Sequence, residues 1–205
     1  MTESAAPRGL PLGTTILTPG GPVPAEDLAP GMLVIAVSGA GAPFQAIAEV
    51  RRGQAAGPLI RIRAGALAEG APQDDLLLPA GHGLLLDGAL IAAGDLVDGC
   101  GILQDTDAAT VEVVDLVLAG HDAVIAAGAS VETALPQPAD PPCAPRRAAD
   151  GPLRAALAWR AETLGWVAPA PAAPAEPSPG TLRERLSASA LVPALPPRPL
   201  VPDVG

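Results

Sequence analysis

Between Gly13 and Leu135 the chain is a succession of short apolar segments broken by turn-forming residues. In Leu59-Ile60-Arg61-Ile62-Arg63 the isoleucines fall on one side of an extended chain and the arginines on the other, the period-two pattern of a half-buried strand. The same reading predicts strands at residues 14–18, 32–37, 44–52, 59–63, 75–78, 84–86, 89–92, 111–118, 123–126 and 131–133. Gly/Pro clusters around residues 19–22, 30–31, 39–43 and 70–72 separate them. Asp87-Gly88 is predicted to close a tight hairpin, because a type I′ turn needs positive φ at both central residues. Helix is confined to single turns near residues 26–28 and 95–97. Residues 9–135 are expected to form an all-β domain, preceded by a disordered stretch at 1–8.

The pattern then changes. Residues 136–149 read as a linker, and Asp150 before Gly151-Pro152 reads as a helix N-cap. Leu153, Leu157, Ala161 and Leu164 recur on one face of a predicted amphipathic helix at 150–167, with Trp159 and Trp166 on an adjacent stripe. That face is expected to dock, on its own domain or in the groove of a protein partner, with the two tryptophans as anchors. Residues 168–205 read as a Pro/Ala-rich, largely disordered tail, with one short helix near 181–190 signalled by the capping box Thr181-Leu182-Arg183-Glu184.

Composition sharpens this picture. Apolar residues make up 49% of the 205 but aromatics only 1%, so the core must be aliphatic. All 12 basic residues are arginine, the 22 acids bring the net charge to −10, and nucleic acid is excluded as the main ligand. No apolar run is long enough to span a bilayer, and the acidic start Met1-Thr2-Glu3-Ser4 lacks a signal-peptide core. Cytoplasm is the default expectation, with export by a non-Sec route left open. Cys100 and Cys143 are too far apart for a metal-ligand motif, so no metal and no cofactor is expected.

Four stretches, in order, resemble the bacterial Hint (hedgehog/intein) domains. Gly13-Thr14-Thr15-Ile16-Leu17-Thr18-Pro19 with Ala25-Glu26-Asp27-Leu28-Ala29-Pro30-Gly31 is similar to that family's opening. Ile60-Arg61-Ile62-Arg63-Ala64-Gly65-Ala66-Leu67 follows, then Asp75-Leu76-Leu77-Leu78-Pro79-Ala80-Gly81-His82-Gly83-Leu84-Leu85-Leu86-Asp87-Gly88. The fourth is His121-Asp122-Ala123-Val124-Ile125-Ala126-Ala127-Gly128, with Val131-Glu132-Thr133 after it. The resemblance implies a Hint-type β-roll over residues 9–135.

It also implies a chemistry. Hint domains begin with a cysteine whose thiol attacks the preceding carbonyl, while a histidine manages protons on the scissile amide. In this chain Gly9 stands at the nucleophile position, and the sequence contains no Asn for a terminal cyclisation. His82 matches the family's catalytic histidine, with Pro79 and Gly81 where Ser and Asp are common. Asp115 stands where the family commonly carries another histidine. The expectation is a degenerate domain, inactive in self-cleavage, serving as a binding or structural module. The alternative is residual autoproteolysis with an unconventional nucleophile near His82. His121 beside Asp122 is a weaker acid–base candidate, since neighbouring strand residues point to opposite faces. Asp74-Asp75, Arg51-Arg52 and Arg61/Arg63 read as solvated turn and strand positions.

Overall fold

Glycines and prolines interrupt the apolar sequence so often that no strand among the described residues exceeds eight residues. The computed structural model describes residues 8–39, 41–105 and 110–166. Its strands are β1 (Leu10–Pro11), β2 (Thr15–Thr18), β3 (Gly21–Pro24), β4 (Leu33–Ile35), β5 (Phe44–Ala46), β6 (Glu49–Ala56) and β7 (Leu59–Ile62). They continue with β8 (Leu76–Pro79), β9 (Gly83–Leu86), β10 (Ala89–Ala92), β11 (Ile102–Asp105), β12 (Thr110–Val117), β13 (Ala123–Ala126) and β14 (Ala129–Glu132), and one helix, α1 (Gly151–Thr163), follows. The domain is all-β, as the alternation predicts. Several details differ: the expected strand at 44–52 is two strands, β1, β3 and β11 have no counterpart in the sequence reading, and β3 takes up part of the Gly/Pro cluster expected to be a turn, its prolines lying in a strand at the edge of the sheet.

An internal repeat organises these strands. Leu10-Pro11-Leu12-Gly13-Thr14 and Leu78-Pro79-Ala80-Gly81-His82 lie 68 positions apart, and the correspondence runs on through both hairpins. Ile16 matches Leu84, Ala25 matches Ala93, and Val34 matches Ile102, every one of them fully buried. Each half contributes a hairpin with a two-residue loop followed by a single 3-10 turn, at Ala25–Asp27 and Ala93–Leu96. Between the halves, β13 pairs with β2 and β14 with β9, giving a six-stranded sheet in the order β10-β9-β14-β13-β2-β3. The order is symmetric about the β13–β14 hairpin. That hairpin turns at Ala127-Gly128, both with positive φ (46° and 85°), the geometry of a type I′ turn.

The long strands β6 and β12 pair antiparallel over eight residues, and β1 adds to the other edge of β12. β11-β7-β8 form a second three-stranded sheet, and β4-β5 a two-stranded one. Isoleucine, leucine and valine fill the space between them, with Ile16, Ile62, Leu78, Leu84, Leu118 and Val131 wholly inaccessible. Each such side chain contributes roughly 1.5–3 kcal/mol by leaving water.

The segment read as a linker at 136–149 is tied to the domain. Leu90 donates its N–H to Pro145 O, and Arg147 N–H returns to Leu90 O. Helix α1 starts where expected, with the Asp150 carboxylate accepting from Leu153 N–H at 2.9 Å. It ends at Thr163 in a Schellman motif: Gly165 (φ 71°) donates to Glu162 O and Trp166 to Ala161 O. The turn carries Trp166 off the helix and onto the domain, where Arg63 stacks on its ring at 4.2 Å. A Cβ on Gly101 would meet that ring at 2.7 Å, so the missing side chain makes its slot. Leu157 and Ala161 are buried, but Trp159 is 65% exposed. The two tryptophans therefore do not share a face, because the chain leaves the helical path before Trp166. No helix among the described residues is long and apolar enough to cross a membrane. The tail 168–205 with its expected helix at 181–190, and residues 1–7, lie outside the described residues.

Candidate functional site

The β1–β12 pairing fixes the start of the domain. Leu10 is in register with Val114 and Pro11 with Val113, which lays Gly9 flat on β12. A Cβ at Gly9 would lie 2.5 Å from both Cβ and Cγ2 of Val113. Carbon atoms in contact need about 3.5–4.0 Å. The position has room for a backbone and for nothing more.

His82 reaches the peptide just before it. The turn from β8 to β9 is closed by His82 N–H donating to Pro79 O, and Ala93 N–H donates to His82 O. From there the ring extends to the Arg8 carbonyl, which accepts from Nδ1. The structure thus brings together three elements far apart in sequence: His82, the Arg8–Gly9 peptide and β12. With the proton on Nδ1, Nε2 is an acceptor, and it has no hydrogen-bond partner. The residue is only 2% exposed. Burial holds the imidazole below its ordinary value, although Glu132 pulls the other way. His82 is therefore neutral at pH 7 and can donate to the carbonyl.

Glu132 lies at the centre of the surrounding polar cluster. Its Oε1 accepts from Gly83 N–H at 2.7 Å, next in sequence to His82. Gly83 permits this approach, since a Cβ there would lie 2.8 Å from the carboxyl carbon. Arg146 grips the carboxylate with both terminal nitrogens, Nη1 on Oε1 at 3.2 Å and Nη2 on Oε2. His121 Nε2 stands 3.3 Å from Oε2, at ion-pair distance without hydrogen-bond alignment. Burial would raise the pKa of Glu132, but His121, Arg146 and the nearby His82 outweigh it and hold it at about 2.

His121 Nδ1 accepts from Cys143 N–H at 2.9 Å, which leaves the ring proton on Nε2, facing Glu132. His121 does not touch Asp122. That carboxylate turns to the other side, accepting from Ser38 N–H, Ala123 N–H and Gln45 Nε2. Burial opposes ionisation of Asp122, and the bonds from Ser38, Ala123 and Gln45 hold its pKa below the usual range.

A cleft of about 520 Å³ opens beside the Arg8–Gly9 peptide, with Arg8, Arg51, Asp115, His121 and Thr133 on its walls. Asp115 is half-buried, and burial raises its pKa above the usual carboxylate value. Arg51 is engaged by Glu49 and by the carbonyls of Leu135 and Pro136. Arg61 pairs with Asp105 at 2.8 Å and lies 3.7 Å from Asp75, a strand-face role. Among the described residues no group of three or more His, Cys, Asp or Glu side chains could hold a metal ion. Cys100 and Cys143 are both free thiols.

The sequence reading gives no role to three participants: Glu132, which lies within the fourth resembling stretch, Arg146 and Val113. A signal existed for the first. Glu132 follows Val131 at the end of a mostly buried strand, and a charge buried there needs a partner. Arg146 lies in a Pro/Ala-rich stretch with no periodicity to place it.

A family profile described as Hint domain matches residues 9–138. Among solved structures, a bacterial intein-like domain from Clostridium thermocellum is 17% identical with a TM-score of 0.50, covering 63% of this chain and 100% of that one. A DnaB intein from Synechocystis sp. is 15% identical with a TM-score of 0.49, covering 62% and 99% respectively. No curated protein matches the chain.

Proposed function

Because the profile match spans more than half of its length, the chain belongs to the Hint-domain family, and from that premise we propose that it is a Hint domain silent in self-cleavage, acting as a non-enzymatic binding or structural module. The family's acyl shift needs a side-chain nucleophile on the residue that supplies the nitrogen of the scissile amide. Its sulfur attacks the carbonyl carbon, the carbon–nitrogen bond breaks, and the freed amine takes the proton. Gly9 offers no such atom, and Val113 fills the space one would occupy, at 2.5 Å from the position of a Cβ. That close approach is the observation that carries the reading. Ser4 and Thr14, the nearest hydroxyls, are each five residues away along the chain.

A second reading rests on a different observation, the contact between His82 Nδ1 and the Arg8 carbonyl. It keeps the alternative of bond cleavage by another nucleophile at the same peptide. The intact mass of the purified full-length protein decides between the two. The proposal expects the full 20.2 kDa chain, unchanged by prolonged incubation with hydroxylamine or a thiol. A chain cut within residues 1–15, and left whole in His82→Ala, would overturn it in favour of autoproteolysis.

A further inference from the structure

The segment that follows the family match doubles back over the buried cluster. Cys143 N–H bonds to His121, Arg146 clamps Glu132, and Pro145 and Arg147 bracket Leu90 on β10. Two of these three attachments are made to one ion-pair cluster, and one of them depends on the protonation state of a histidine. Neutral His121 accepts at Nδ1. Protonated His121 carries hydrogens on both ring nitrogens and has nothing to offer the Cys143 amide.

We infer that residues 140–147 form a strap latched by neutral His121 and released when His121 takes a proton. Charged groups surround the ring. Glu132 Oε2 lies 3.3 Å from Nε2 and is itself held by Arg146. Arg8, Arg51 and Asp115 line one adjoining cleft with His121. Asp140 and Cys143 line a second cleft beside it. Asp122 faces away, into its bonds with Ser38 and Gln45. With Glu132 neutralised by Arg146, protonation of His121 turns the 2.9 Å approach of Nδ1 to Cys143 N from a hydrogen bond into a meeting of two donors. Strap release uncovers Glu132 and the wall of the cleft beside Arg8. The latch stands apart from the reading of the domain as silent and does not depend on it.

Cys143 supplies the probe, because its thiol lies in the strap and burial pushes its pKa up to about 11. In full-length Cys100→Ser protein, reaction with dithiodipyridine, which modifies thiols in acid, reports strap opening once divided by the rate for the urea-unfolded chain. Between about pH 8 and pH 5 the normalised rate is expected to rise about five- to tenfold, the weight of one neutral hydrogen bond. Cys143→Ser protein, with Cys100 as the probe, measures any general loosening of the fold with falling pH, and its rise is expected to be smaller than that at Cys143. His121→Asn places an acceptor oxygen near the position of Nδ1 and cannot be protonated, so its normalised rate at Cys143 is expected to rise no more than the rate at Cys100 does. A flat profile at Cys143 with His121 intact, a rise of the same size in His121→Asn, or an equal rise at Cys100 would each overturn the inference.

Discussion

Replacing Gly9 by alanine adds one methyl group at the point where the chain enters the β-domain, and the structure says what that methyl meets. Two carbons of Val113 lie 2.5 Å from its position, about 1 Å inside van der Waals contact. Val113 has little freedom to yield: β12 is paired on both sides, with Pro11 and Gly53 opposite this residue, and its side chain is 5% exposed. Overpacking of this kind costs about 1–3 kcal/mol. A loss of about 2 kcal/mol is expected for Gly9→Ala, roughly a thirtyfold change in the folding equilibrium. Urea denaturation measures it, provided the dependence on denaturant keeps its slope. The clash has a specific signature in a double-mutant cycle. Val113→Gly empties the contested space, so Gly9→Ala should be at least 1 kcal/mol less harmful in that background than in the wild type. Additive effects within about 0.5 kcal/mol, or a Gly9→Ala protein as stable as the parent, would refute the steric argument. The steric part of the case for silence would go with it, while the missing side chain at Gly9 would remain.

Glu132→Gln is expected to lose about 3 kcal/mol at neutral pH, since a carboxylate held near 2 against a reference of 4.5 favours the folded state. Its folded pKa is depressed, so the contribution is complete above pH 4.5 and fades as the pH falls towards 2; acid titration of the variant should lack that slope. His82 is depressed from 6.5 by burial, so stability should decline as the pH drops below 6.5, and His82→Gln should remove that decline in pH-dependent melts. Gly83→Ala drives a methyl into the Glu132 carboxylate at 2.8 Å and should cost about 1–3 kcal/mol by thermal or urea melting. Trp166→Ala should cost about 2 kcal/mol through lost packing and the contact with Arg63, whereas Trp159→Ala should cost under about 0.5 kcal/mol; tryptophan emission of the two single-Trp proteins should be bluer for Trp166.

Alternation and turn chemistry made the hairpin at Asp87-Gly88 and strand β7 readable before any coordinates. The hairpin at Ala127-Gly128 was harder, because alanine is a poor marker for a residue at φ 46°. Here the surroundings hold it: Ala127 N–H donates to Thr15 O, and Gln73 N–H to Ala127 O. Strand β11 was illegible by composition, four residues following Gly99-Cys100-Gly101. The 68-residue repeat would have revealed it, since Ile102 matches Val34 of a strand that the pattern does predict. His82 and Gly9 were legible through resemblance to a family. Their neighbours were not: Glu132 and Arg146 owe their roles to long-range geometry, and Val113 looks like any other strand valine.

The pairing of β1 with β12 also has a consequence in time. Leu10 cannot find Val114 until synthesis has run 104 positions further, and Glu132 and Arg146 come later still. Contacts of such wide sequence separation carry a loop-closure cost before they give any stability, and they make folding slow. Arg8 and Gly9 leave the ribosome well before β12, yet they are fixed in place only once that strand has been made. Throughout that interval the Arg8–Gly9 peptide is open to proteases, chaperones and any partner that reads an extended strand, and it is withdrawn from all of them when β12 closes over it.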